Sequence, residues 1–134
     1  MVSILTTLYL ALNGLLYTGL GVAYLVSPHK MASKTDFVLS SGTAEVELRA
    51  IYGGLEIALG LFMIFCAFRP SWLVFGLVLT VVIYAGFAGG RIMGIILADS
   101  FGGITWKLLL FEVAAVLLGS ALLVSLMLNS GAGK

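Results

Sequence analysis

Arg49, Glu56, Arg91 and Glu112 are two bases and two acids set in stretches that are otherwise apolar. An ionisable side chain at the centre of a membrane-spanning helix costs about 2.5–3.5 kcal/mol even on the lenient insertion scale. Four such charges, balanced in sign and spread over three segments, point to a shared network. Arginine stays protonated and grips a carboxylate, or the anionic head of a ligand, through two parallel hydrogen bonds. Two carboxylates in unlike surroundings can divide acid and base roles. Tyr52 and Tyr84 fall on the same helical faces as these charges, three residues after Arg49 and seven before Arg91. The candidate ligand-binding set is therefore Arg49, Tyr52, Glu56, Tyr84, Arg91 and Glu112.

Other chemistries find little support. Cys66 is the single cysteine, so an intrachain disulfide and a cysteine metal cluster are excluded. It lies in an apolar run, where a buried, inert thiol is expected. His29 is the single histidine, which excludes a histidine-rich metal or haem site. No metal site is expected, and no cofactor is identifiable. A formal net charge of +1 argues against a nucleic-acid partner, which requires a basic face.

The elements that position these groups are four apolar segments, at roughly 4–26, 45–68, 71–97 and 105–128. Each is long enough to span, since about 20 residues cross the hydrocarbon core. The chain is 61% hydrophobic and 10% charged, where a soluble domain carries about 25% charge. The bilayer is thus its main partner. No Lys or Arg precedes Lys30, so the first segment lacks the basic start of a cleavable signal and reads as a retained helix. Pro28 favours an exit from that helix, and a polar stretch follows to Thr43. Arg69-Pro70 makes a tight turn, and Asp99, Gly102 and Gly103 mark a short loop. Trp72 and Trp106 fall at helix starts, the place of interfacial anchors. Mostly short connections between four helices predict one domain over 1–134, an all-α, integral membrane, up-down-up-down four-helix bundle.

Ideal helical geometry sorts the polar groups by face. Glu45, Arg49, Tyr52 and Glu56 form one stripe, and Thr80, Tyr84, Phe87 and Arg91 another. Asn13, Tyr17 and Tyr24 share a face of the first helix, where packing is their simplest role. At ~1.5 Å per residue, Glu56 is expected roughly 16 Å from the side where the second helix begins. Arg91 and Glu112 are expected roughly 10 Å down and Arg49 roughly 6 Å. Glu45, Glu47, Asp99 and Lys107 would ring the mouth of a charged cup. Towards Arg69 and the tail at Lys134 the segments are almost wholly apolar. Gly86, Gly90 and Gly94 form a small-residue ridge, and Gly14 and Gly21 lie a heptad apart. Small residues let membrane helices approach closely, within a bundle or between copies.

The run Glu47-Leu48-Arg49-Ala50-Ile51-Tyr52-Gly53-Gly54-Leu55-Glu56, with Gly90-Arg91, Asp99 in a short loop and Glu112 in the last helix, resembles a bacterial family of small four-helix membrane proteins. That family is known as domain of unknown function 4345 and looks related to the wider DoxX-like group. The resemblance covers nearly the whole chain. It implies a four-helix fold in a bacterial inner membrane and carries over no activity residue by residue.

Three roles remain. The cup binds or carries a small amphipathic or lipid-soluble ligand, which is the favoured reading because apolar walls around a few polar groups are what such sites have. Alternatively, Glu56 and Glu112 transfer protons in a membrane enzyme or a quinone-linked oxidoreductase subunit. Or the chain is an assembly subunit, forming homo-oligomers through Gly86, Gly90 and Gly94. A purely structural use of the charges competes with all three, although interhelical polar contacts in membranes average only about 0.6 kcal/mol.

Overall fold

The computed structural model describes residues 1–99 and 101–131. Every regular element among them is helical. Helix α1 runs over Val2–Val26, and the short α2 over Pro28–Ala32, followed by a 3-10 turn at Ser33–Thr35. The second long helix has three parts: α3 at Gly42–Leu48, a π-helical segment at Arg49–Leu55, and α4 at Glu56–Ala67. A 3-10 turn at Pro70–Trp72 leads into α5, Leu73–Ala98, and α6 occupies Thr105–Gly131. Four of the resulting helical stretches are long and apolar enough to cross a membrane, which makes this an all-α, multi-pass membrane protein. The tail expected to end at Lys134 lies outside the described residues.

Local chemistry explains the ends of these elements. Pro28 interrupts α1 but starts α2, since its fixed φ and missing N–H suit a first helical turn. The stretch after α1 is therefore not an open polar loop: Met31 and Ala32 are buried with Tyr24 and Leu48, and Leu39 and Tyr52 pack against them. The second span begins at Gly42, earlier than the expected residue 45, because Ser41 caps it by accepting a hydrogen bond from the Ala44 N–H at 3.2 Å. Helix α5 ends at Asp99 in the left-handed region, φ 45°, a conformation that Asp tolerates better than most residues.

The chain divides into two compact units, one of Ala11–Phe65 and one of Met1–Leu10 with the chain from Cys66 onward. In the first, α1 and α4 are antiparallel and meet through glycines. A Cβ placed on Gly14 would stand 2.7 Å from the Gly60 carbonyl oxygen, and one on Gly21 would stand 2.7 Å from that of Gly53. Both distances are shorter than real Cβ atoms tolerate. The heptad spacing of Gly14 and Gly21 thus marks a close approach within this unit, the small-residue packing that replaces hydrophobic drive in lipid. Thr18, between them, turns its hydroxyl back to the Gly14 carbonyl at 2.8 Å.

In the second unit, α5 and α6 pack along each other. The start of α1 joins them where the Tyr9 hydroxyl donates to the Ala115 carbonyl at 2.8 Å. Gly76 accommodates Cys66 and Leu10, and Gly119 accommodates Tyr9 and Val81. Cys66, Leu10, Leu77 and Thr80 are fully buried there.

Candidate functional site

The Glu45-to-Glu56 stretch carries half of the expected site, and its backbone departs from the ideal helix. A π turn holds one residue more than an α turn, so side chains beyond it are carried round the axis by about one residue's 100° step. Arg49 and Glu56, seven residues apart, would share a face of an unbroken α-helix. With Arg49–Leu55 in π geometry that stripe is broken. The cause lies in the Gly53-Gly54 pair, since glycine adds no Cβ contacts to hold an α turn and gives the backbone freedom to widen. That pair is the sequence signal from which the break was legible.

The two ends of the stripe therefore have separate surroundings. Arg49 turns back towards the start of its own helix. Its Nε and Nη2 donate to Glu45 Oε1 at 3.1 and 2.8 Å. Its Nη1 donates to the Leu25 carbonyl oxygen in the last turn of α1. That carbonyl has no partner within its own helix, and a cation there also complements the helix dipole. Glu45 in turn reaches His29 of α2, with Oε2 3.1 Å from Nε2. Arg49 thus fastens α1, α2 and α3 together at one end of the unit. The sequence pattern places Glu45 at a mouth and assigns it no partner.

Glu56 follows the π segment and makes no ion pair among the described residues. Its Oε2 is buried without a hydrogen-bond partner, which is rare for a polar atom in a folded protein. The side chain as a whole is half-buried. Gly21 meets Ile57, and α1 ends five residues further on, so Glu56 lies roughly 8 Å inside the end of α1. Counted from the start of the second span it would be deeper, but α3 runs past the end of α1. An aromatic cluster reaches Glu56 through Tyr24. Tyr24 is within electrostatic reach of it and stacks at a tilt on Tyr52, with centroids 5.2 Å apart. The Phe37 ring lies 6.1 Å from that of Tyr52, centroid to centroid. Thr35 stands beside the Tyr24 hydroxyl. Tyr24 and Phe37 were missed as site residues. Tyr24 reads as packing on α1, and nothing in the sequence brings Phe37 back from the connecting segment.

The other charged pair belongs to the unit that holds α5 and α6. Arg91 Nη2 donates to Glu112 Oε1 at 2.6 Å, and Nε donates to Oε2 at 3.0 Å and to Oε1 at 3.2 Å. This is the two-pronged guanidinium–carboxylate geometry, directional as well as charged. Glu112 is only 5% exposed. Beside it, Phe111 meets Tyr84 edge to face at 5.6 Å and 82°. Of the expected residues, Arg91 and Glu112 are thus paired and Tyr84 packs on the neighbouring Phe111, while Arg49 is engaged with Glu45 and the Leu25 carbonyl and Glu56 makes no ion pair among the described residues. Gly86, Gly90 and Gly94 offer a different surface: a Cβ placed on any of them meets nothing within 4 Å.

No curated protein and no solved structure matches the chain. A family profile matches residues 5–123, so the chain belongs to the family described as Domain of unknown function (DUF4345).

Proposed function

We propose that this protein binds a small amphipathic or lipid-soluble ligand within the membrane, through Glu56 and Tyr52 with Tyr24 and Phe37 beside them. The observation that carries this reading is the Glu56 carboxylate, which has a buried oxygen without a donor in a span that otherwise favours apolar side chains. An intramembrane ionisable group of this kind is a functional-site hypothesis by default. It also sits at the end of a π segment, an irregularity frequent at functional sites. In this reading Arg49 braces the site. Tyr84, Arg91 and Glu112 are assigned to holding α5 against α6, because Arg91 and Glu112 already satisfy each other. Native mass spectrometry of the protein against lipids, quinones and single-chain amphiphiles tests the reading. At least one compound should stay bound to the wild type and be lost from Glu56→Gln and Tyr52→Leu. If every compound binds both variants as well as the wild type, the reading fails.

The finer placement follows the resemblance to bacterial sequences: an inner-membrane protein related to the DoxX-like group. Proton transfer by Glu56 in a membrane enzyme or a quinone-linked subunit is the catalytic alternative, and the same unpartnered carboxylate supports it.

A second role, association between copies, is supported by a different observation. A Cβ on Gly86, Gly90 or Gly94 of α5 meets nothing within 4 Å, whereas one on Gly14, Gly21 or Gly60 meets the backbone of the facing helix. If copies associate there, Gly90→Leu should shift the size of the detergent-solubilised protein towards the monomer and leave its helical content unchanged. An unaltered size profile removes this role.

A further inference from the structure

Resting on the reading of Glu56 as a ligand group, we infer that the ligand head is an organic ammonium cation. Balanced charges would suit an anionic or a cationic head equally, because two arginines and two glutamates offer either. The pairing removes that symmetry. Arg49 has all three nitrogens engaged, on Glu45 and on the Leu25 carbonyl. Glu112 has both oxygens on Arg91. The remaining charge of the four is Glu56, a carboxylate that forms no ion pair among the described residues and has one oxygen buried without a donor. A ligand that completes this group brings positive charge or a hydrogen-bond donor, and an ammonium group brings both.

The neighbours select among such donors. Tyr24, Tyr52 and Phe37 lie together with centroid spacings of 5.2 and 6.1 Å. Aromatic faces attract a desolvated cation through the ring quadrupole, and clusters of rings with a carboxylate are how proteins hold alkylated ammonium groups. A compact, strongly hydrated inorganic ion would lose its water here to rings that coordinate it poorly. An alkylated ammonium is weakly hydrated and keeps an apolar tail for the hydrocarbon. The group also sits roughly 8 Å inside the end of α1, a depth that the head of a single-chain amine reaches from the interface. The same head chemistry has two sources, the ammonium of a lipid headgroup and a free hydrophobic amine.

The experiment measures binding of dodecyltrimethylammonium to the intact protein in nanodiscs of phosphatidylglycerol, a lipid without an ammonium group. Dodecyl sulfate and dodecanol are matched probes of opposite and zero charge. Saturable binding of the ammonium probe is expected, weakened about tenfold or more in Glu56→Gln and in Tyr52→Leu. Binding to Arg91→Lys should match the wild type. Glu56→Gln is nearly isosteric, and its melting temperature, read alongside, shows that it is folded. Adding phosphatidylethanolamine then separates the sources: competition assigns the site to a lipid headgroup, and no competition assigns it to a free amine. Both outcomes support an ammonium ligand. If dodecyl sulfate or dodecanol binds and depends on Glu56 while the ammonium probe does not, the ammonium inference is overturned and ligand binding stands. If none of the three binds saturably, both fall.

Discussion

Glu112→Leu is expected to destabilise the protein by about 3–5 kcal/mol, the usual cost of removing one partner from a buried ion pair. Glu112 is 5% exposed and takes two prongs of Arg91, so its loss leaves the guanidinium charged and without its carboxylate. Arginine cannot escape by giving up its proton. Arg91→Met should also destabilise the protein, because it takes the paired guanidinium from the buried Glu112 carboxyl. The double variant Arg91→Met/Glu112→Leu should return to within about 1 kcal/mol of the wild type, since matched apolar replacements of a buried pair are often neutral. Thermal unfolding in detergent, read as a double-mutant cycle, measures all three. A loss below about 1 kcal/mol for Glu112→Leu would mean that the pair does not fasten α5 to α6.

The second large effect concerns packing without any charge. Gly60→Ala should destabilise by about 1–3 kcal/mol, in the range for overpacking a filled interior. A methyl group there would stand 2.6 Å from the Gly14 carbonyl oxygen and 2.6 Å from the Thr18 nitrogen, and would collide with the Thr18 hydroxyl. Two of these obstacles are backbone, so relief requires α1 and α4 to separate, with loss of contact along their length. Gly86→Ala is the matched control. Nothing lies within 4 Å of its Cβ position, so the gain in helix propensity of about 0.5–1 kcal/mol is unopposed in the monomer. Measured in the same detergent, Gly60→Ala should lower the melting temperature and Gly86→Ala should leave it unchanged or raise it. Equal effects would overturn the assignment of a tight α1–α4 contact.

Both predictions trace back to residues that are conspicuous in the sequence, and their difference shows how far a sequence reading reaches. Glycines seven apart on α1 and four apart on α5 look equivalent as patterns. The first set is buried against facing backbone and the second is bare, because a small residue permits close approach without saying which helix approaches. The charges behave in the same way. The sequence pattern gathers Arg49, Glu56, Arg91 and Glu112 in one network, and of these Arg91 and Glu112 pair. Arg49 and Glu56 were legible as equals of that pair, yet Arg49 is taken by nearer acceptors, Glu45 one turn away and the Leu25 carbonyl at the end of α1.

The four membrane-length helices follow from the order of residues alone, because hydrocarbon requires about 20 apolar residues per crossing and leaves backbone polar groups no partner but their own helix. That order also determines which few residues are costly in that setting and must find partners. The partners themselves are set by the fold. The π segment at Arg49–Leu55 turns Glu56 off the face of Arg49, and the fold of the segment after α1 brings Phe37 to Tyr52. Helix periodicity assumes one rotation per residue and stops at the helix end. A widened turn and a returning loop depend on the fit between distant segments, which no local spacing encodes.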